Sequence, residues 1–172
     1  MTRRARRKRS RSSADEPAGS SDLPTLLDIS PSNLEQLDEK CAYEHFFGKT
    51  REEARDMFAE SHAERRSHIY LEDLGWMGAR AFDYYVCAYI DFLDGCNTAD
   101  LDIEEAMFVV KMRAGMGEKG EGLKKLVAKI EELRPQAPVP LDIEGRRHAR
   151  ECEARKYGQI VRQILGSEGE EC

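Results

Sequence analysis

The segment HIYLEDLGWMGARAFDYYVCAYIDFL, residues 68–93, constrains the fold more than any other part of the chain. It holds seven of the thirteen aromatic residues, and such a concentration of large apolar side chains predicts the centre of a core. Apolar residues on the other sides of the same segment predict a central helix that is contacted from several directions. Beyond Gly78, large apolar residues recur three and four positions apart, as on one face of an α-helix: Phe82, Tyr85, Val86, Tyr89, Phe92 and Leu93.

Five further helices are predicted from caps and from hydrophobic spacing. Ser30-Pro31 is a typical helix start, with Leu34, Leu37 and Cys41 following at helical spacing, and the segment ends at Gly48. Thr50 and Glu53 match a capping box, which begins the next helix. The other three are expected at about 102–113, 121–134 and 142–165. The first of these has Ile103, Met107 and Val110 on one face, and the second has an apolar face of five residues: Leu123, Leu126, Val127, Ile130 and Leu133. No stretch shows sustained strand-like alternation, so the sequence predicts an all-α fold, a single compact helical bundle of about five to six helices.

The chain divides into three parts by composition. Residues 1–24 are rich in arginine and then in serine, proline and glycine, with too little apolar surface to offset the entropy of ordering them. They are predicted to form a disordered, basic N-terminal arm. Residues 25–166 carry the helical patterns and form the predicted α-helical domain, and residues 167–172 are a short acidic tail.

Charge is distributed unevenly along the chain. The basic segment MTRRARRKRSR, residues 1–11, holds seven basic residues and no acidic one, which leaves 20 basic against 33 acidic residues and a net charge of −13 over residues 12–172. Because an acidic body is repelled by phosphate backbones, nucleic-acid binding is predicted only through the arm: Arg3, Arg4, Arg6, Arg7, Lys8, Arg9 and Arg11. A solubilising tail and translated upstream sequence are the alternative interpretations of this segment.

Cysteine usage and hydropathy predict the compartment. The five cysteines are odd in number, scattered and without a Cys-x-x-Cys pair, so neither a disulfide framework nor a zinc ribbon is predicted. No apolar run approaches the roughly 18 residues of a spanning helix. The protein is therefore expected to be cytoplasmic, without association with a membrane.

Catalytic and metal-binding patterns are incomplete in this sequence. The four histidines lack the spacing of a metal site, and the chain has neither a nucleophile elbow nor a phosphate-binding loop. We therefore assign no catalytic residue, no metal and no cofactor. A metal-dependent nucleotide hydrolase is kept as an alternative, with Asp91 as its strongest candidate, because such enzymes hold magnesium on carboxylate pairs three residues apart: Glu35/Asp38, Glu53/Asp56 and Asp91/Asp94.

Glu72, Asp73 and Trp76 form the candidate protein-binding site. They lie at a helix break predicted at Gly75 and Gly78, inside the aromatic segment. Carboxylates beside a tryptophan at a loop between helices could form a recognition surface, since tryptophan offers a large and rigid contact area. An internal role is the alternative that the residues favour, in which Asp73 caps the next turn or accepts hydrogen bonds from nearby amides and Trp76 packs over the edge of the core.

Two motifs carry a resemblance to a known group of proteins. The motifs are Phe47-Gly48-Lys49-Thr50 with Glu53-Ala54, and Tyr70, Glu72-Asp73-Leu74, Trp76-Met77-Gly78, Ala81-Phe82 and Tyr84-Tyr85. Over these roughly 40 to 50 residues the chain resembles a family of small uncharacterised bacterial α-helical proteins, a domain of unknown function. The resemblance implies a helical bacterial protein and transfers no catalytic residue. It also implies that any function shared by the family resides in residues 72–78.

These patterns together predict a non-enzymatic intracellular protein-binding module with an inhibitor or immunity-like role. The acidic body would steer it towards a partner protein with a basic surface. A nucleic-acid-associated protein that binds through its Arg-rich arm is the alternative, and the metal-dependent nucleotide hydrolase is the second alternative.

Overall fold

The computed structural model describes residues 23–64, 68–96, 103–134 and 147–166. Within these ranges the chain forms eight α-helices and no strand, which confirms the all-α prediction. None of these described helices is both long and apolar enough to cross a bilayer. The basic segment, the acidic tail and the predicted start of the last helix at residue 142 lie outside the described residues. The helices are α1 (Leu26–Ile29), α2 (Leu37–Phe46), α3 (Arg51–Ala63), α4 (His68–Trp76), α5 (Ala79–Gly95), α6 (Ile103–Gly115), α7 (Glu121–Leu133) and α8 (Arg147–Leu165).

The predicted count of five to six helices is too low, because α1 and α4 were not foreseen. The predicted break at Gly75 is also wrong: α4 continues through it to Trp76, and the chain turns at Met77 and Gly78. A Cβ atom on Gly75 would overlap the Cε atom of Met112 on α6. Gly75 therefore lies within α4, where the end of the Met112 side chain packs against it, and does not end the helix.

The helix predicted to start at Ser30-Pro31 begins later, at Leu37. Asn33 and Leu34 have positive φ angles of 56° and 65°, which an α-helix of L-residues cannot contain. The predicted apolar face of this helix, which included Leu34, is therefore wrong at its N-terminal end. The helix ends just before Gly48, as predicted, and Gly48 has a φ of 74°.

A buried carboxylate holds the turn that precedes α2. The Oε2 atom of Glu39 accepts hydrogen bonds from the Oγ of Ser30 (2.8 Å) and from the amide (2.8 Å) and Oγ (2.5 Å) of Ser32. Burial alone would raise the pKa of Glu39, but the hydrogen bonds outweigh it and keep the pKa below its usual value. Glu39 thus remains ionised and fixes the link between α1 and α2.

The capping box predicted at Thr50 is present at the start of α3. The Oγ1 of Thr50 accepts a hydrogen bond from the amide of Glu53 (3.2 Å), and the Oε2 of Glu53 accepts one from the amide of Thr50 (2.8 Å). Thr25 and Asp28 form the same reciprocal pair at α1. Each pair satisfies amide donors that would have no partner in the first turn, which fixes where α1 and α3 begin.

Helix α5 is the centre of the core, as the aromatic spacing predicted. It packs on α3 and α7 and also contacts α1 and α4, and all six residues of its predicted face are buried. The hydroxyl of Tyr85 donates to the carbonyl oxygens of Phe46 (2.6 Å) and Lys49 (3.1 Å), so a core side chain also caps the end of α2. Burial raises the pKa of Tyr85, which keeps the phenol protonated as a donor.

Helices α6, α7 and α8 close the remaining sides of the bundle. The amide of Gly122, at the start of α7, donates to the Oδ1 of Asp83 on α5 (2.8 Å). A Cβ atom on Gly122 would overlap that carboxylate, so the glycine is required for the close approach of α5 and α7. The apolar face predicted for α7 is confirmed, because all five of its residues are buried: Leu123, Leu126, Val127, Ile130 and Leu133.

Arg113, near the end of α6, is buried with 3% of its side chain exposed. Its Nη1 donates to the carbonyl oxygens of Gly75 (3.2 Å) and Met77, and its Nη2 pairs with Glu118 in the connection to α7. The guanidinium also lies 4.4 Å from the centre of the Phe82 ring. Carbonyls at the C-terminus of a helix have no partner within the helix. Arg113 therefore caps α4 from a neighbouring helix.

Gly78→Ala is expected to lower the free energy of unfolding by about 1–3 kcal/mol. A Cβ atom at Gly78 would lie 2.6 Å from the backbone oxygen of Asp28 and 3.1 Å from the ring of Pro31. Gly158→Ala is the matched control: no atom of the described residues comes within 4 Å of the added carbon, so helix propensity should stabilise α8 by about 1 kcal/mol. Urea unfolding measures both, and a stabilised Gly78→Ala variant would contradict the close packing of α1 on this residue.

Arg113→Met is expected to destabilise the protein by about 3 kcal/mol, because it leaves the largely buried Glu118 carboxylate and the carbonyls of α4 without their cation. Burial lowers the pKa of Arg113 and raises that of Glu118, while their mutual attraction opposes both shifts. Glu118→Gln removes the other charge, so the double variant should lose less stability than the sum of the single losses. A double-mutant cycle measured by urea unfolding checks this, and additive losses would show that the two side chains act independently.

Candidate functional site

A groove runs along the outer side of the contact between α4 and α6. It encloses a cavity of about 240 Å³ lined by Leu71 and Glu72 from α4 and by Glu105, Phe108 and Val109 from α6. Leu71 and Val109 are buried and form its floor, whereas Glu72 is exposed and the Phe108 side chain is 50% exposed. These five residues define the α4–α6 groove, an apolar floor with two carboxylates and an accessible aromatic ring.

Helical spacing explains why these side chains meet. Glu105 and Phe108 are three residues apart on α6, and Ile69 and Glu72 are three apart on α4, so each pair shares one side of its helix. Ile69 is 39% exposed, so it extends the accessible apolar surface along α4. Ile69 and Phe108 thus place two exposed apolar side chains on neighbouring helices.

Asp73 lies on the opposite side of α4 from the groove. Its side chain is buried, and its Oδ2 lies 2.6 Å from the Nδ1 of His45 on α2. The ring of Tyr70 packs edge-on against His45, with 5.1 Å between ring centres. Burial raises the pKa of Asp73, although the hydrogen bond from His45 lowers it, and the charges of Glu72 and Asp38 raise it further. Asp73 therefore ties α4 to α2.

Trp76 lies one turn beyond Glu72 and is half-buried at the end of α4. Its indole Nε1 is buried and finds no hydrogen-bond partner among the described residues. The three residues predicted as one surface are thus separated, with Glu72 in the groove, Asp73 inside the bundle and Trp76 at the edge of the core. The alternative interpretation gave Asp73 an internal role, and its carboxylate does make a buried hydrogen bond. The partner is the ring of His45 and not a backbone amide.

Sequence reasoning missed two of the important groove residues, Glu105 and Phe108. The apolar face predicted for α6 contained Ile103, Met107 and Val110, and Phe108 lies off that face. A large aromatic residue outside the buried stripe of an amphipathic helix is a signal that could have identified it. The partner helix α4 could not have been selected in the same way, because the contact between α4 and α6 is not encoded locally.

The surface around the groove is acidic. Glu72 is exposed on α4, and Glu105 lines the same groove from α6. Carboxylates on the two helices of the groove create a negative potential there, which attracts cationic groups.

Four of the six carboxylates proposed for a hydrolase, Glu53, Asp56, Asp91 and Asp94, make ion pairs or caps between or within helices. Asp91 accepts two hydrogen bonds from Arg51 on α3, from Nε (2.5 Å) and Nη2 (2.7 Å). Asp94 pairs with Lys129 on α7 (2.5 Å), and Glu53 belongs to the capping box of α3. Within the described ranges, no group of three or more histidine, cysteine, aspartate or glutamate residues is arranged to hold a metal ion. The hydrolase alternative therefore has no candidate cluster in this part of the chain.

No family model matches this chain, and no curated protein or solved structure is significantly similar to it. The resemblance to a family of small bacterial helical proteins stays a prediction, because none of these comparisons bears on it. The geometry of the α4–α6 groove is therefore the basis on which a function can be inferred.

Asp73→Asn is expected to change how stability depends on pH. Because burial raises the folded pKa of Asp73 above its unfolded value of 3.8, its contribution to stability is fully present below that pH and is lost as the pH rises through the folded pKa. Asparagine cannot titrate, so the stability of the wild type relative to the variant should fall as the pH rises above about 4. Urea unfolding across this range measures the difference.

His45→Gln is the companion variant for this measurement. It removes the ring whose hydrogen bond lowers the pKa of Asp73, so the loss of stability with rising pH should become larger than in the wild type. Parallel pH profiles for the wild type and the Asp73→Asn variant would contradict the assignment of a titrating, buried Asp73.

Proposed function

We propose that the protein is a non-enzymatic intracellular module that binds a basic segment of another protein in the α4–α6 groove. The observation that carries this proposal is the pairing of two carboxylates, Glu72 and Glu105, with the exposed ring of Phe108 over an apolar floor. The net charge of −13 over residues 12–172 supports a basic partner, since opposite charge favours encounter. An inhibitor or immunity-like role is compatible with this surface.

The chemistry of the groove favours arginine over lysine in the bound segment. A guanidinium is planar, so it can stack on the ring of Phe108 while its N–H groups reach a carboxylate. Exposed ion pairs contribute only about 0–1 kcal/mol each, so Glu72 and Glu105 would mainly orient the ligand. An apolar side chain of the partner that reaches the floor between Leu71 and Val109 would supply most of the affinity.

The expected ligand is therefore an amphipathic segment that presents arginine and leucine on one face. A helix suits this groove because its residues three and four positions apart lie side by side. An arginine and a leucine at that spacing could contact the ring of Phe108 and the apolar floor at the same time.

Phe108→Ala is expected to weaken the binding of such a peptide at least tenfold, and Glu72→Gln or Glu105→Gln about fivefold each. A designed helical peptide with arginine and leucine on one face serves as the ligand, measured by titration calorimetry at about 50 mM salt. Trp76, the single tryptophan of the chain, gives a second signal through its fluorescence, since it lies one turn from Glu72.

Glu60→Gln is the matched control, because Glu60 is an exposed glutamate on α3 and its replacement removes the same charge. A peptide with glutamine in place of arginine should bind much more weakly than the parent. The proposal fails if Glu60→Gln weakens binding as much as Glu72→Gln, or if Phe108→Ala binds like the wild type. The first result would indicate that affinity depends only on the net charge of the protein. The second would show that the peptide does not bind in the α4–α6 groove.

A further inference from the structure

We infer that the basic segment of this chain, residues 1–11, binds the α4–α6 groove and competes with the partner for it. This inference rests on the proposed function, because it assigns an internal competitor to the same surface. It would make the protein self-inhibited: a partner could enter the groove only by displacing the chain's own arginines.

Charge complementarity is the first argument for this occupant. The basic segment has six arginines, one lysine and no acidic residue, whereas the rest of the chain has a net charge of −13. The groove presents Glu72 and Glu105 beside the exposed ring of Phe108. Guanidinium groups can pair with these carboxylates and stack on the ring.

The length of the intervening chain is the second argument. Residues 12–22 separate the basic segment from the first described residue, and eleven residues span up to about 36–40 Å when extended. Helix α1 contacts the end of α4, because a Cβ atom on Gly78 would lie 2.6 Å from the backbone oxygen of Asp28. Glu72 precedes Gly78 by six residues, or about 9 Å along a helix. The groove therefore lies close to the place where the arm joins the bundle.

Because the basic segment is covalently attached to the bundle, a low affinity is sufficient for it to occupy the groove. The basic segment contains no aromatic residue and no leucine, isoleucine or valine, so it offers the groove guanidinium groups without an apolar anchor. The covalent connection through residues 12–22 gives an effective concentration on the order of millimolar, so the segment occupies the groove about half of the time when the dissociation constant is of about the same size. A partner that supplies both arginine and an apolar side chain would displace it.

The experiment compares the full-length protein with a full-length variant in which all seven basic residues of the segment are replaced by glutamine. The neutralised variant should bind the arginine–leucine peptide about twofold more tightly at about 50 mM salt, because the internal competitor is gone. The difference should disappear at high salt, where the arm is screened, and in the Glu72→Gln/Glu105→Gln background. The Glu60→Gln background should preserve it.

A second measurement needs no partner. The amide NMR signals of Glu72, Glu105 and Phe108 should differ between the full-length protein and the neutralised variant, and the difference should vanish at high salt. Unchanged signals together with equal peptide affinities would overturn the inference. If the peptide binds both proteins equally in a groove-dependent way, the internal competitor is absent and the proposed function stands. If the peptide binds neither protein while the NMR signals differ, the arm occupies the groove and the proposed function fails.

Discussion

The placement of α4 depends on one buried cation. Arg113 donates to the carbonyl oxygens of Gly75 and Met77, which end α4, and pairs with Glu118 in the connection between α6 and α7. Because those carbonyls would otherwise be buried without a donor, α4 can end and α5 can begin within two residues. The same contact places α4 beside α6, and the groove exists only because these two helices are neighbours.

One side of helix α4 packs inside the bundle, and another side lines the groove at the surface. Asp73 joins it to α2 through His45, whereas Glu72, the preceding residue, faces the groove. Successive residues of a helix point about 100° apart, so a pair of adjacent carboxylates can have different roles. Sequence proximity suggested a single acidic patch at Glu72 and Asp73. The structure assigns one carboxylate to packing and the other to the solvent-facing groove.

Local signals in the sequence predicted much of the fold. The periodic aromatic face of α5, the apolar stripe of α7 and the capping box at Thr50 each lie within one helix, so spacing alone identified them. The positive φ of Leu34 was not predictable from the sequence. It belongs to a turn that is held by hydrogen bonds from Ser30 and Ser32 to the carboxylate of Glu39. The groove was missed for a similar reason. Glu72 and Phe108 meet only after α4 packs on α6, and no local pattern records that contact.

The bonds made by Arg113 also bear on how the molecule unfolds. A nine-residue helix such as α4 is too short to persist by itself in water, and its terminal carbonyls find their donor 36 to 38 positions later in the chain. Helix α4 can therefore form only together with the C-terminal end of α6. Loss of either element would expose the other, which makes the two a single cooperative unit whose amide protons should exchange with solvent in one event.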